Sequence, residues 1–188
     1  MNFHTSHRLL FASAGLLFLF LSLTIAVLPA FQMQKTQPLA DIEFRSDLAE
    51  HGRALYVKEG CGTCHTQFVR DLEMDAPYGR GSVAGDYALE NPPLLGTQRT
   101  GPDLANIGVR QPSDTWQLIH LYNPRAVVNA SAMPGYPWYF QALEEAPDDA
   151  VVVPVPPAFV PKNKVVIATE DALAIVEYLK SLKQVEIK

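Results

Sequence analysis

Gly60-Cys61-Gly62-Thr63-Cys64-His65 holds both cysteines of a 188-residue chain, three positions apart, with a histidine directly after the second. C-x-x-C-H is the attachment signature of a c-type haem. Two intervening residues let one short helical turn present both thiols to the vinyl groups of a single porphyrin, and the adjacent imidazole then reaches the iron from one face. Other chemistries ask for other residues. A redox disulfide of C-x-x-C type needs no histidine at the next position and belongs in a βαβ context, of which the sequence shows no sign. A structural zinc site takes four ligands, and there is no further cysteine to supply them.

Working outward toward the N-terminus, charge is spread unevenly. Up to Ala30 the only formally charged side chain is Arg8, so the remainder carries 14 basic and 20 acidic residues. An acidic domain on an almost neutral stem gives no encouragement to nucleic-acid binding. The acidity serves either solubility or attraction of a basic protein partner. Within the stem, Leu9 to Leu28 is a run of twenty residues with no charge and no proline. At about 1.5 Å per residue it spans roughly 30 Å as a helix, the thickness of a bilayer core. A cleaved signal peptide has a shorter apolar region, about 7–15 residues, before a small-x-small site, and Pro29-Ala30-Phe31 is a poor one. The expectation is therefore a retained membrane anchor over residues 1–30, flanked by His4, His7 and Arg8, with a polar linker over 31–41. Arg8 on one side and Lys35 on the other decide orientation weakly. Orientation rests instead on the haem, which bacteria attach outside the cytoplasm.

The remaining residues, 42–188, read as one domain. From Ile42 a helical pattern places Leu48, Leu55 and Tyr56 on one side with Ala49 and Gly52, and Gly60 ends that helix just before the haem motif. A glycine inside the helix points to a close helix–helix approach. Residues 70–91 read as loop, Asn91-Pro92-Pro93 turns the chain, and Gly101-Pro102 opens a turn able to lie against a cofactor. A helix capped by Ser113 or Asp114 carries Trp116, Ile119 and His120. His120 is a candidate iron ligand, although a histidine on such a face more often packs in the core. Residues 144–164 look like an insertion, acidic at first and then proline-rich, with prolines that forbid helix and favour extended structure. Thr169, Glu170 and Asp171 open a final helix whose stripe is Ala172, Ile175, Val176 and Leu179.

Ser131-Ala132-Met133-Pro134-Gly135-Tyr136-Pro137-Trp138 offers Met133 as the candidate second axial ligand, against the reading that it merely fills core space. Thioether sulfur is a soft, neutral ligand that favours ferrous iron and raises the potential of the couple. The proline after it holds the backbone extended, and the neighbouring aromatics can exclude water. Of the other methionines, Met1 and Met33 belong to the stem and linker, and Met74 lies in a charged loop.

Taken together, the anchor, C-x-x-C-H, Gly-Pro-Asp-Leu, Met-Pro and C-terminal helix resemble an all-α class I cytochrome c on a single N-terminal transmembrane helix. In that class the proline carbonyl accepts a hydrogen bond from the haem histidine, a part that falls to Pro102 for His65. A closer resemblance is to the monohaem subunit (subunit II) of cbb3-type cytochrome c oxidase. It is carried by Cys61-Gly-Thr-Cys-His-Thr-Gln67, Arg99-Thr-Gly-Pro-Asp-Leu104, Met133-Pro-Gly-Tyr-Pro-Trp138 and His120-Leu-Tyr-Asn-Pro-Arg-Ala-Val-Val128. The Val151–Pro161 stretch has no counterpart there.

The resemblance implies one haem c bound covalently by Cys61 and Cys64, with His65 and Met133 as axial ligands. Both axial positions are then filled, so the chain relays single electrons and is not catalytic by itself. Oxygen reduction falls to a partner subunit with haem b and copper, fed by a multihaem cytochrome c subunit or a cytochrome c donor. The chain sits once in the bacterial inner membrane with its haem domain on the periplasmic side. Arg99 and Arg125 are candidates for pairing with haem propionates, against the reading that they are ordinary surface arginines. Trp138 packs either at the haem edge or in the core. Three rivals stay open: the cytochrome c subunit of a nitric oxide reductase, a free membrane-tethered carrier, and a structural protein with a C-x-x-C disulfide.

Overall fold

A computed structural model describes residues 6–185. The first five positions of the expected anchor, His4 among them, and the last three of the expected domain lie outside the described residues. The chain divides into two compact units, Met1–Pro38 and Leu39–Lys188.

The first unit is a continuous helix, His7–Met33, of 27 residues, long and apolar enough to cross a membrane. Ser6 caps it by accepting the Leu9 N–H. Helix α1 (His7–Ser22) passes through a π-helical turn, Leu23–Val27, into α2 (Leu28–Met33). The widened turn has a local cause. Pro29 has no N–H to give to the carbonyl four residues earlier, and just ahead of it the Leu28 N–H reaches back five residues to Leu23. Thr24 Oγ1 donates to the Phe20 carbonyl at 2.9 Å, so a backbone acceptor in this apolar stretch is met by a side chain.

The second unit is built on helix α3 (Asp47–Lys58) packed against α6 (Glu170–Ser181). The helix begins at Asp47, later than the pattern from Ile42 suggests, because the Ser46 hydroxyl accepts the Ala49 N–H and sets the N-terminus there. Ala49, Gly52, Leu55 and Tyr56 are buried as expected, whereas Leu48 remains 38% exposed. Gly52 meets α6 at its backbone: a Cβ there would overlap the Ala174 carbonyl. Beside the crossing, the Tyr56 and Tyr178 rings meet edge to face with centroids 5.3 Å apart. The Tyr178 hydroxyl bonds the buried Gln67 amide at 2.9 Å. Thr169 caps α6 through the Ala172 N–H. Two further helices complete the helical part. α4 (Ile107–Arg110) touches the end of α6, and α5 (Asp114–Tyr122), capped by Ser113, buries Leu118, Ile119 and Leu121.

The fold is not wholly helical, which corrects the all-α expectation. Strands β1 (Phe140–Leu143), β2 (Val152–Val153) and β3 (Val165–Ala168) form an antiparallel sheet in the order β1-β3-β2, with Phe140 opposite Ala168 and Val152 opposite Ile167. The proline-rich insertion is thus one edge of a sheet. Its β-branched runs Val151-Val152-Val153 and Val165-Val166-Ile167 suit a half-buried pleated surface, and Phe140, Val153, Val155, Val166 and Ile167 join the core.

Gly52 gives this packing a test with a definite sign. On an open helix face Gly52→Ala would stabilise by about 1 kcal/mol. Here the new methyl group meets the α6 backbone, so chemical denaturation should show a loss of about 1–3 kcal/mol.

Candidate functional site

The haem motif folds as one short turn. Gly60, in the left-handed conformation at φ 69°, leads from α3 into a 3-10 turn over Cys61–Thr63. The Cys64 and His65 N–H groups both donate to the Cys61 carbonyl, at 3.2 and 3.0 Å. Cys61 and Cys64 are both free thiols, Cys64 exposed and Cys61 half-buried. Burial pushes the Cys61 thiol up to about 11, against the pull of the neighbouring Tyr136 hydroxyl.

A second segment runs alongside this turn and fixes the histidine. Gln67 donates to Leu95, Thr97 to Gly62, Gly101 to Cys64 and Leu104 to Thr66, all through backbone N–H groups. This ladder brings the Pro102 carbonyl to 2.8 Å from His65 Nδ1. A carbonyl only accepts, so Nδ1 carries the proton and the neutral ring keeps its lone pair at Nε2. Gly101 is required by the same approach, since a Cβ there would lie on the His65 ring.

Buried charge holds the second segment in place. Asp103, fully buried, accepts from Thr66 Oγ1 at 2.6 Å, the Phe68 N–H at 2.9 Å and the Ala105 N–H at 2.8 Å. Arg99 donates to Thr66 Oγ1, the Phe68 carbonyl, Asp75 and Asp103. Asp75, also fully buried, accepts from the Arg70 backbone and guanidinium as well. Arg99 therefore spends its charge on two carboxylates of the protein, a network the sequence reading missed because Asp75 lies in an aperiodic loop. Among the described residues, Arg110 has no carboxylate at ion-pair distance. It is half-buried, donates to the Asp103 carbonyl and lies 5.2 Å above the Tyr78 ring, and its Nε is buried without a partner. Burial lowers its pKa.

Met133 is half-buried on the same apolar cluster as Cys61, together with Leu94, Tyr122, Val127 and Tyr136. Arg125, exposed, donates to the Met133 carbonyl at 3.4 Å. Tyr136 donates its N–H to Leu121, and the Tyr139 phenol donates to Glu59 Oε1 at 2.5 Å. Trp138 is 59% exposed, and its ring stands against Tyr136 with centroids 5.3 Å apart. His120 stacks on Trp116 at 4.6 Å. Burial, with the nearby His65, pushes His120 down to about 4, and its Nδ1 is buried without a partner.

These residues fit a haem. Two thiols and an imidazole lone pair issue from one turn, a thioether lies on the same apolar cluster as Cys61, and His120 Nδ1, near His65, is buried and left unmet. Residues 3–154 match the family model described as Cytochrome C oxidase, mono-heme subunit/FixO. Comparison with the curated proteins gives no match.

The acidic network carries a pH-dependent stability. Arg70 and Arg99 hold the Asp75 carboxyl far below the ordinary carboxylate range. Its contribution is present above the unfolded-state value of about 3.9 and is lost as pH falls. Asp75→Asn should lower the urea midpoint at neutral pH, and the gap from the parent protein should narrow below about pH 4.

Proposed function

The chain belongs to the mono-haem subunit family of cytochrome c oxidases, and on that footing we propose that it relays single electrons to the haem–copper catalytic subunit of a cbb3-type oxidase. In this reading Cys61 and Cys64 would hold one haem c covalently, and His65 through Nε2 and Met133 through its sulfur would ligate its iron. The haem supplies a one-electron couple; the protein supplies its setting. Pro102 orients the imidazole and increases its basicity by accepting from Nδ1. Met133 favours the ferrous form.

Propionate carboxylates need cations that the protein has not already neutralised. Arg125, exposed beside Met133, takes that role, with Arg110, which has no carboxylate partner among the described residues, as the second candidate. Arg99 serves the loop network instead. Residues 1–30 anchor the chain in the bacterial inner membrane, 31–41 link, and 42–188 carry the haem on the periplasmic side. The family implies association with the catalytic oxidase subunit; a multihaem cytochrome c subunit or a cytochrome c is the electron donor in this reading.

The single observation that carries this reading is the 2.8 Å bond from His65 Nδ1 to Pro102, made inside a C-x-x-C-H turn. The test is a reduced-minus-oxidised spectrum of the detergent-solubilised complex, with pyridine haemochrome and metal analysis on the same sample. Haem c with haem b and copper supports the oxidase relay. Haem c and b with iron but no copper assigns the chain to a nitric oxide reductase, and haem c alone leaves a tethered carrier. In the same preparation Met133→Ala should keep the haemochrome of covalent haem. It should lose the far-red thioether-to-ferric-iron band and lower the midpoint potential.

A further inference from the structure

The methionine loop is fastened at its far end to the residue that leads into the haem-attachment turn. Glu59 is the C-terminal cap of α3, immediately before Gly60 and Cys61. Its carboxylate accepts the phenol of Tyr139 at 2.5 Å, a charge-assisted bond of the stronger kind. Tyr139 is buried, at 3% exposure, and is itself held from behind: its carbonyl accepts from the Thr169 N–H at 3.1 Å and from Thr169 Oγ1 at 2.8 Å. Nearer the methionine the hold is weaker. Arg125 reaches the Met133 carbonyl at 3.4 Å from an exposed position, and the Met133 N–H donates to Ser131 Oγ at 3.2 Å. Tyr139 on Glu59 is therefore the shortest of these side-chain bonds, and it ties the loop to the residue just ahead of the haem-attachment turn.

We propose that Tyr139 and Glu59 are positioning residues for the axial thioether, fixing the separation between the haem-attachment turn and the methionine loop and so the strength of the Met133–iron bond. This rests on the reading of Met133 as ligand. A neutral thioether binds ferric iron weakly, because the oxidised metal prefers harder donors. Its bond persists only while the protein keeps the sulfur in place at low entropic cost. Release of the Tyr139 tether gives the loop new conformations, and the sulfur then yields to an external ligand more readily. The ferrous form, which holds thioether sulfur better, is affected less, so the midpoint potential falls.

The experiment uses the full-length protein in its detergent-solubilised complex and compares Tyr139→Phe, Glu59→Ala and Glu59→Gln. The readouts are the far-red thioether band, the midpoint potential and the affinity of the ferric haem c for imidazole. A hydrogen bond to a charged group corresponds to about a tenfold or larger factor. Tyr139→Phe and Glu59→Ala should thus bind imidazole about tenfold more tightly than the parent protein. Glu59→Gln, which keeps an acceptor, should fall between, and the Tyr139→Phe/Glu59→Ala double variant should be no worse than either single one.

Gly52→Ala loosens the fold away from this contact, so it should leave imidazole affinity unchanged; a tenfold rise there would reduce the tether to general stability and overturn the proposal. Parent-like band, potential and imidazole affinity in Tyr139→Phe would also overturn it, while leaving Met133 as ligand. A parent protein without the thioether band, or a Met133→Ala variant that binds imidazole no better than the parent, would instead remove Met133 as ligand and the inference with it. Should Tyr139→Phe fail to fold, Glu59→Gln against the parent decides: an unchanged imidazole affinity overturns the proposal.

Discussion

The hydrogen bond from His65 Nδ1 to the Pro102 carbonyl is the constraint on which the rest of the domain depends. It selects the tautomer, aims the ring and requires the backbone of residues 101–103 to lie against the haem-attachment turn. That approach has two costs. Position 101 must have no side chain, and a loop must be held against a turn without the regular hydrogen bonding of helix or sheet. The four backbone bonds between residues 62–67 and 95–104 meet part of the second requirement. The buried pair Asp103 and Asp75, crosslinked through Arg99 with Arg70 also on Asp75, meets the remainder. Buried charge of this kind contributes little net stability compared with a well-packed apolar cluster. Its value here is geometric, since several directed bonds converge on Thr66 and Phe68, just beyond His65.

Much of this was legible in the sequence, and for identifiable reasons. C-x-x-C-H, Gly-Pro and Met-Pro are local patterns whose chemistry depends on neighbouring residues, so no tertiary knowledge is needed to single them out. Gly52 inside an amphipathic helix signalled a close crossing because nothing else excuses the helix-propensity cost. Ser113 and Thr169 marked helix starts by their side chains alone. The residues that were misjudged or missed depend on partners distant in sequence. Strand β3 takes one neighbour from across the insertion and the other from within it, and its short valine-rich run does not by itself distinguish strand from buried helix. Arg99 reads as a free cation until Asp75 is brought to it from an irregular loop. Arg110 gains interest only when its burial is known, because a guanidinium in solvent has no need of a partner. Leu48 obeyed the helical period and still faces outward, since the period says which residues share a face and not how wide the neighbouring helix is.

The two ends of the domain also divide the work differently. Segments 61–67 and 95–104 are rigid by hydrogen bonding, as a fixed imidazole demands. The methionine side relies on aromatic packing around Tyr136, Trp138 and Tyr139 and on one phenol–carboxylate bond. Rigid on one face and adjustable on the other would be a workable division around the iron of the proposed haem, which would change charge by one unit and should reorganise little.

The α3–α6 crossing has a consequence for how the protein is made. Helix α3 immediately precedes the haem motif, yet its partner lies near the far end of the chain, so the contact has a very long sequence separation and a large loop-closure entropy. During synthesis the attachment turn is complete long before α6 exists to shut the domain over it. The order of residues along the chain therefore creates an interval in which both thiols are presented on an unfinished, accessible segment. The domain closes only when the final helix arrives, which makes α6 its latch.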